Sequence, residues 1–159
     1  MITLRSATRD DVSVIAELIR GLARFEKLEQ EVVMTDELLA AGLFGDRPYA
    51  EVVLAEDDGR PVGFALFFHN FSTFLGRPGI YLEDLFVLPE QRGQGIGRML
   101  LAHLARLAVE RGCGRLEWAV LDWNRDAIKF YERLGARPNS DWTVYRLAGE
   151  ALTGLARDT

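Results

Sequence analysis

The spacing of apolar residues in the first half of the chain predicts strands and helices in turn. Residues 2 to 6 alternate as a strand does, and apolar residues then recur every three or four positions from Val14 to Phe25, which predicts an amphipathic helix. Thr35 can cap a second short helix over 36 to 43. The β-rich runs 51 to 55 and 62 to 69 flank an Asp-Gly turn and predict a hairpin.

The second half of the chain continues this order. A β-rich run over 79 to 88 leads through a glycine-rich segment into a long helical pattern, and 116 to 121 reads as another strand. Asn124 opens a further helix that reaches Gly135, and 142 to 147 predicts a last strand. The pattern indicates an α/β (α+β) fold in which helices cover a mixed sheet.

Composition limits the domain count and the partners. The chain has 159 residues and a mass of 17.9 kDa, so we expect a single domain over 1–159. Nineteen Lys and Arg against 24 Asp and Glu give a net charge of −5, which argues against a nucleic-acid partner and suits a cationic small molecule.

Cysteine and histidine are scarce. Cys113 is the single cysteine and is accompanied only by His69 and His103, so we expect no internal disulfide and no metal site. The first residues lack the apolar run of a signal peptide, and no stretch is long enough to span a membrane. We therefore expect a cytoplasmic protein with no membrane partner.

The glycine-rich segment between the predicted strand and helix is typical of an anion site. The segment is Arg92-Gly93-Gln94-Gly95-Ile96-Gly97-Arg98. Unpaired amides at the start of a helix attract anions, and glycines let a pyrophosphate approach the backbone. Arg92 and Arg98 add cationic partners at its rim.

Spacing separates the nucleotide sites that use such a segment. A phosphate loop of the NTPase type needs Lys and then Ser or Thr after its last glycine, whereas Arg98 and Met99 follow Gly97. A dinucleotide fingerprint needs its third glycine one position later, where Arg98 stands. A helix-capping turn without a ligand is the remaining alternative from the residues alone.

The segment resembles the acyl-coenzyme A loop of the GNAT acetyltransferases, with Arg92, Gly95 and Gly97 at its defining positions. Further blocks resemble the diamine (spermidine/spermine) acetyltransferases and their thialysine-acetylating relatives. These blocks are Phe25-Glu26-Lys27-Leu28, Phe71 to Arg77, Tyr81-Leu82-Glu83-Asp84-Leu85 and Ala119-Val120-Leu121-Asp122-Trp123-Asn124. The resemblance implies a GNAT fold with a mostly antiparallel sheet, a splayed strand pair, helices on both faces, and a homodimer.

Amine acetylation needs a base and an acid. A lysine-type amine has a pKa near 10.4, so a base must remove a proton at neutral pH. Glu83 and Asp84 are the candidate carboxylates, and strict strand alternation would let only one face the site. The resemblance implies that Glu83 is the base and that Tyr131 protonates the departing thiolate. An acidic surface pair and a core tyrosine are the structural alternatives.

The resemblance also implies the binding residues for acetyl-CoA and for the amine, and no metal. The strand before the glycine loop would offer its backbone to the pantetheine arm at Leu85, Phe86 and Val87. The other coenzyme contacts would be Arg92, Gly93, Gln94, Gly95, Ile96, Gly97, Arg98, Asn124, Arg125, Asp126, Ala127 and Tyr131. The acceptor amine would meet Phe25, Glu26, Glu83, Glu117, Trp118 and Ala119.

The acceptor class depends on fewer positions. Ser72 stands where polyamine-specific members carry an acidic residue and thialysine-type members carry serine, while Phe74 replaces the family's usual tryptophan. We therefore expect a small diamine or a thialysine-like amino acid. The alternatives are a GNAT enzyme acting on a protein N-terminus, a lysine side chain or a drug amine, and an acyl-CoA-binding sensor without turnover.

Overall fold

The computed structural model describes residues 1–158, which form two compact units divided after Ala119. Unit 1 contains a five-stranded sheet and three α-helices, and unit 2 contains two α-helices among its described residues. The strands are β1 Ile2–Ser6, β2 Glu51–Asp57, β3 Arg60–Ser72, β4 Arg77–Val87 and β5 Leu116–Trp118. The helices are α1 Val12–Phe25, α2 Asp36–Phe44, α3 Ile96–Glu110, α4 Arg125–Arg133 and α5 Gly149–Leu155.

The sheet is mixed and mostly antiparallel, as expected. Its order is β1-β2-β3-β4-β5, with antiparallel pairs from β1 to β4 and a parallel pair between β4 and β5. Asp58 and Gly59 have φ values of 49° and 85°, which is the backbone that an Asp-Gly hairpin turn requires. Thr35 accepts the Leu38 N–H and caps α2 as predicted.

One face of the sheet packs against α1 and α2. Ile15, Leu18 and Leu22 of α1 and Leu43 of α2 join a core cluster with alternate residues of three strands. The strand members are Val52, Leu54, Phe64, Leu66 and Phe86. The spacings of three and four along α1 produce this contact, because they place its apolar residues on one side of the helix.

The opposite face carries α3. Ile96, Leu100, Leu101, Leu104 and Ala108 of this helix are buried, and α3 contacts the four strands from β2 to β5. The alternate strand residues, such as Val53 and Ala65, are also buried. Helices therefore cover both faces of the sheet in unit 1.

A β-bulge at Glu83 interrupts the register between β3 and β4. Phe67 lies opposite Leu82, whereas the preceding residue, Leu66, lies opposite Asp84, so Glu83 is the extra residue. The expectation that Glu83 and Asp84 follow strict alternation is therefore wrong, because a bulge adds one residue to one strand and resets the faces after it. Leu82 points to the α3 face, and Asp84 shares the α1 face with Leu66.

The bulge coincides with the end of the pairing between β4 and β5. Ile80 to Leu82 lie opposite Leu116 to Trp118, so β4 runs on from Glu83 to Val87 past its last residue paired with β5. The Leu88 N–H donates to Val62 O at 2.8 Å. Alternation along the ladder then directs the peptide groups of Leu85 and Val87 to the other edge of β4. This edge of β4 is therefore unpaired beyond Leu82, and the expected splay of a strand pair stays a prediction because β5 ends at Trp118.

Unit 2 differs from the sequence prediction after its first helix. Asn124 caps α4 by accepting the Ala127 N–H at 3.3 Å, and Gly135 follows the helix with φ 92°, both as predicted. The strand predicted over 142 to 147 is absent from the described chain, and Trp142, Val144 and Tyr145 are exposed. A strand needs a neighbour, and the described part of unit 2 contains none.

No helix among the described residues is long and apolar enough to cross a membrane.

Candidate active site

The glycine-rich segment opens α3 and leaves space in front of its backbone. Gly93 and Gly95 have φ values of 82° and 81°, a conformation that glycine adopts without strain. A Cβ added at Gly93, Gly95 or Gly97 would meet no other atom within 4 Å. The first α-helical bond runs from Met99 N–H to Gly95 O at 3.0 Å, so the amides before it have no partner one turn back.

Burial of Ile96 anchors this start of the helix. The Ile96 side chain is 1% exposed, whereas Arg98 and the three glycines lie at or near the surface. The backbone amides are therefore held on a fixed helix end with their positive dipole toward solvent. Such an end can bind the phosphates of a nucleotide or coenzyme.

Arg92 does more than add positive charge at the rim. Its guanidinium carbon lies 4.4 Å from the centroid of the Phe25 ring and 5.6 Å from that of Phe86. Arg92 Nε also donates to Val87 O at 3.1 Å. These contacts connect the glycine segment with the end of α1 and with the open edge of β4.

Carboxylates cluster where the bulge meets the end of α1. Burial, together with the charges of Glu83 and Glu26, raises the pKa of Asp84 to about 7. Burial also raises the pKa of Glu26. The charge of Glu83 raises the pKa of Asp84, so the two carboxylates are close together at the bulge instead of being separated on opposite faces. Together with Glu26 they form the acidic cluster. A cation held here would be attracted by all three groups.

Aromatic and polar side chains extend the same face toward β5. Tyr81 lies between Phe68 and Glu117 in the register, and the Phe68 and Tyr81 ring centroids are 5.4 Å apart. Burial raises the pKa of Tyr81, and the charges of Glu83 and Glu117 add to the effect. Asn70 Nδ2 donates to Glu117 Oε1 at 3.3 Å. The face therefore combines negative charge with aromatic surface, which suits an ammonium group.

The predicted acceptor residues on β5 do not all reach this face. Glu117 lies opposite Tyr81, whereas Trp118 lies opposite Leu82, which points to the α3 face. Ala119 follows the strand as the last residue of unit 1. The structure thus brings Phe25, Glu26, Glu83 and Glu117 to one side of the sheet and turns Trp118 to the other.

The remaining predicted residues belong to unit 2. Asn124, Arg125, Asp126 and Ala127 form the capped start of α4. Tyr131 lies seven positions after Asn124 and therefore projects from nearly the same side of α4. Its ring centroid is 5.6 Å from that of Phe130.

Sequence reasoning missed Tyr81 and Asn70 as members of the acceptor face. Tyr81 belongs to a predicted strand, whereas Asn70 lies one residue beyond the strand predicted over 62 to 69, and both alternate toward the α1 face of the observed sheet. The missing signal was the strand register, since pairing alone brings Asn70, Tyr81 and Glu117 together. The sequence blocks contain Tyr81 but do not indicate its neighbours.

Comparison with known proteins identifies the family. The model of the acetyltransferase (GNAT) family matches residues 16–136, which is most of the chain and includes the glycine-rich segment, the bulge and α4. The chain belongs to the GNAT acetyltransferase family. It is therefore an N-acetyltransferase that depends on acetyl-CoA, the co-substrate of this family.

Individual relatives and solved structures support this assignment. The GNAT chain is 40% identical over 166 residues to the thialysine N-epsilon-acetyltransferase of Bos taurus, covering 98% of this chain and 97% of that one. It is 34% identical over 197 residues to the L-ornithine N5-acetyltransferase NATA1 of Arabidopsis thaliana, covering 96% and 86%. An integron cassette protein of V. cholerae has a similar structure, with a TM-score of 0.82, 28% identity and coverage of 99% and 98%.

The residues of this GNAT enzyme fit the coenzyme that its family uses. The open backbone at the start of α3 has room for a pyrophosphate, and the peptide groups of Leu85 and Val87 lie on an edge beyond the reach of β5. The register directs the peptide groups of Phe86 toward β3, so it favours Leu85 and Val87 over Phe86 for backbone contacts with a ligand.

Proposed function

We propose that this GNAT enzyme transfers the acetyl group of acetyl-CoA to the terminal amine of a small cationic acceptor, either a thialysine-like amino acid or a diamine. The observation that carries the proposal is the acidic cluster of Glu26, Glu83 and Asp84 beside the bulge, next to the open edge of β4. An ammonium is attracted to that cluster, and the thioester would lie along the neighbouring edge.

Acetyl-CoA would bind along β4 and the start of α3. The backbone amides from Gly93 to Arg98 would hold the phosphates, with support from the helix dipole. Leu85 and Val87 would bond the pantetheine arm through their peptide groups. By family resemblance, Asn124 to Ala127 of unit 2 would contribute the remaining coenzyme contacts.

Glu83 is the proposed base. It takes a proton from the acceptor ammonium, whose ordinary pKa near 10.4 keeps it charged at neutral pH. The free amine attacks the thioester carbonyl, so a C–N bond forms and the C–S bond breaks. The departing thiolate takes the phenolic proton of Tyr131, and the second proton of the nitrogen returns to the phenolate through solvent. The products are the acetamide and free coenzyme A.

The acceptor class rests on charge and on the relatives. Ser72 places no carboxylate on the turn after β3; instead its Oγ accepts the Leu75 N–H at 3.1 Å. A long polyamine would therefore lack a distal anionic partner at this position, which favours a short acceptor. The relatives are named for thialysine and L-ornithine, both amino acids with a terminal side-chain amine.

We also propose that both units act as one acetyltransferase domain, and that the enzyme is a cytoplasmic homodimer. The family model runs across the boundary between the units, which supports one domain. The single Cys113 suits a reducing compartment because it precludes an internal disulfide. Sedimentation equilibrium tests the dimer, and a mass equal to one chain at micromolar concentration would contradict it.

An acceptor panel tests the proposed function. Release of free thiol from acetyl-CoA is followed with thialysine, L-ornithine, lysine, putrescine, spermidine, spermine and a short peptide. We expect the highest kcat/KM with a short diamine or diamino acid, and a large loss of kcat in Glu83→Gln. The proposed acceptor class would be overturned if spermine had a kcat/KM far above that of every other acceptor, or if the enzyme acetylated the peptide alone.

A further inference from the structure

A small pocket lies on the α1 face of the sheet, in unit 1, beyond the residues that the mechanism uses. It occupies about 210 Å³, including the part open to solvent, where the β3–β4 hairpin meets the start of β5. The lining residues used below are Asn70, Ser72, Gly79, Arg115 and Glu117. None of the functional roles assigned above involves Arg115 or Gly79.

The pocket and the acidic cluster share one face of the sheet. The register pairs Asn70 with Gly79, and Tyr81 lies opposite Glu117. Alternation therefore continues this face from Gly79 through Tyr81 to the bulge at Glu83. Four residues of strand separate Gly79 from Glu83, which corresponds to about 13 Å. A short extended acceptor and the long side chains of Arg115 and Glu117 can span that distance together.

The pocket contains charges of both signs. Glu117 accepts a hydrogen bond from Asn70 at 3.3 Å. Arg115 is exposed, and within residues 1–158 its guanidinium forms no ion pair with a carboxylate. One available guanidinium thus stands beside one carboxylate, whereas the acidic cluster at the other end of the face contains carboxyl groups and no cationic side chain among Glu26, Glu83 and Asp84.

Gly79 contributes by its lack of a side chain. A Cβ at this position would collide with Asn70 Oδ1, so glycine leaves the space in which the Asn70 amide is held against Glu117. The polar end of the pocket is therefore built by packing as well as by charge.

This arrangement complements the two charged groups of an α-amino acid. A guanidinium forms paired hydrogen bonds with a carboxylate, and a carboxylate with an amide oxygen beside it binds an ammonium. A diamine would instead bring its second ammonium toward Arg115, where like charges repel. The acceptor class proposed above contains both diamino acids and diamines, and this pocket would bind the diamino acids more tightly.

We propose that Arg115 binds the α-carboxylate of the acceptor while Glu117 and Asn70 bind its α-ammonium, so that the enzyme selects diamino acids over diamines. This inference rests on the proposed function. It makes Arg115 a specificity residue that acts on the end of the acceptor remote from the reacting amine.

Two pairs of acceptors test it, because ornithine differs from putrescine, and lysine from cadaverine, only by the carboxylate. Each pair is measured with the wild type, Arg115→Gln and the control Arg106→Gln, an exposed arginine of α3. We expect the wild type to favour the amino acid of each pair. Arg115→Gln should lower kcat/KM for the amino acids by about tenfold to a hundredfold, the effect of losing a hydrogen-bonded charge. The kcat/KM values for the diamines should not fall, because Arg115→Gln removes the repulsion of their second ammonium, and KM for acetyl-CoA should stay unchanged.

The outcomes separate this inference from the proposed function. If Arg115→Gln leaves the amino-acid to diamine ratio unchanged while the wild type acetylates both kinds of acceptor, the inference fails and the proposed function stands. If the wild type acetylates none of the four and does not acetylate thialysine either, both fail. Arg115→Lys provides a second check, since retention of the charge should restore part of the preference for the carboxylate.

Discussion

The partly buried carboxyl of Asp84 predicts how the stability of the enzyme depends on pH. Burial beside Glu83 and Glu26 raises its pKa from 3.8 to about 7. The folded state therefore binds this proton more tightly than the unfolded chain does. The stabilisation is fully present below the unfolded pKa and is lost as the pH rises through the folded pKa.

The magnitude follows from the two pKa values. Between pH 5 and pH 8 the loss from this group is at most about 2.6 kcal/mol, since each pKa unit corresponds to about 1.4 kcal/mol. Asp84→Asn keeps the shape of the protonated form and has no proton to lose. Its free energy of unfolding should therefore fall less than that of the wild type over this interval, by up to about 2.6 kcal/mol.

Urea unfolding at both pH values measures this difference. Asp46→Asn is the matched control, because it removes an exposed carboxylate at the end of α2. The control should follow the wild type at both pH values. The same loss of stability between pH 5 and pH 8 in Asp84→Asn and in the wild type would refute the burial of a charged cluster at the bulge.

Three further predictions concern the coenzyme, the acid and Arg92. Gly95→Glu should abolish acetyl-CoA binding in calorimetry by filling the anion site, whereas Gly112→Glu, at the other end of α3 with a similar φ of 71°, should bind normally. Tyr131→Phe should lower kcat by about a hundredfold or more with coenzyme affinity retained, and unchanged turnover would exclude Tyr131 as the acid. Arg92→Gln and Phe25→Leu should show a coupling of about 0.5 to 2 kcal/mol in a double-mutant cycle of unfolding, whereas additive effects would mean that the stacking contributes nothing.

Local patterns predicted most of the fold. The helical spacing from Val14 to Phe25, the Asp-Gly turn and the cap at Thr35 depend on neighbouring residues, and the structure confirms all three. The strand predicted over 116 to 121 ends at Trp118, where its pairing with β4 ends. The strand predicted over 142 to 147 is not formed, because apolar alternation does not provide a partner strand.

The site was less predictable because it depends on pairing between strands. Nothing within the Glu83-Asp84 segment indicates a bulge, since the extra residue exists only relative to β3. The bulge makes neighbours of two carboxylates that simple alternation separates. The pocket lining of Asn70 and Arg115 likewise follows from the register of three strands, so a single sequence carries no sign of it.

The proposed reaction transfers an acetyl group to the terminal amine of a small acceptor. Its most direct test is incubation with isotopically labelled acetyl-CoA and L-ornithine or putrescine, followed by mass spectrometry and NMR of the product. We predict one labelled acetyl group on the terminal side-chain nitrogen of ornithine, formed by the wild type and not by Gly95→Glu. Binding of acetyl-CoA with no labelled product from either amine would contradict acetyl transfer to these acceptors.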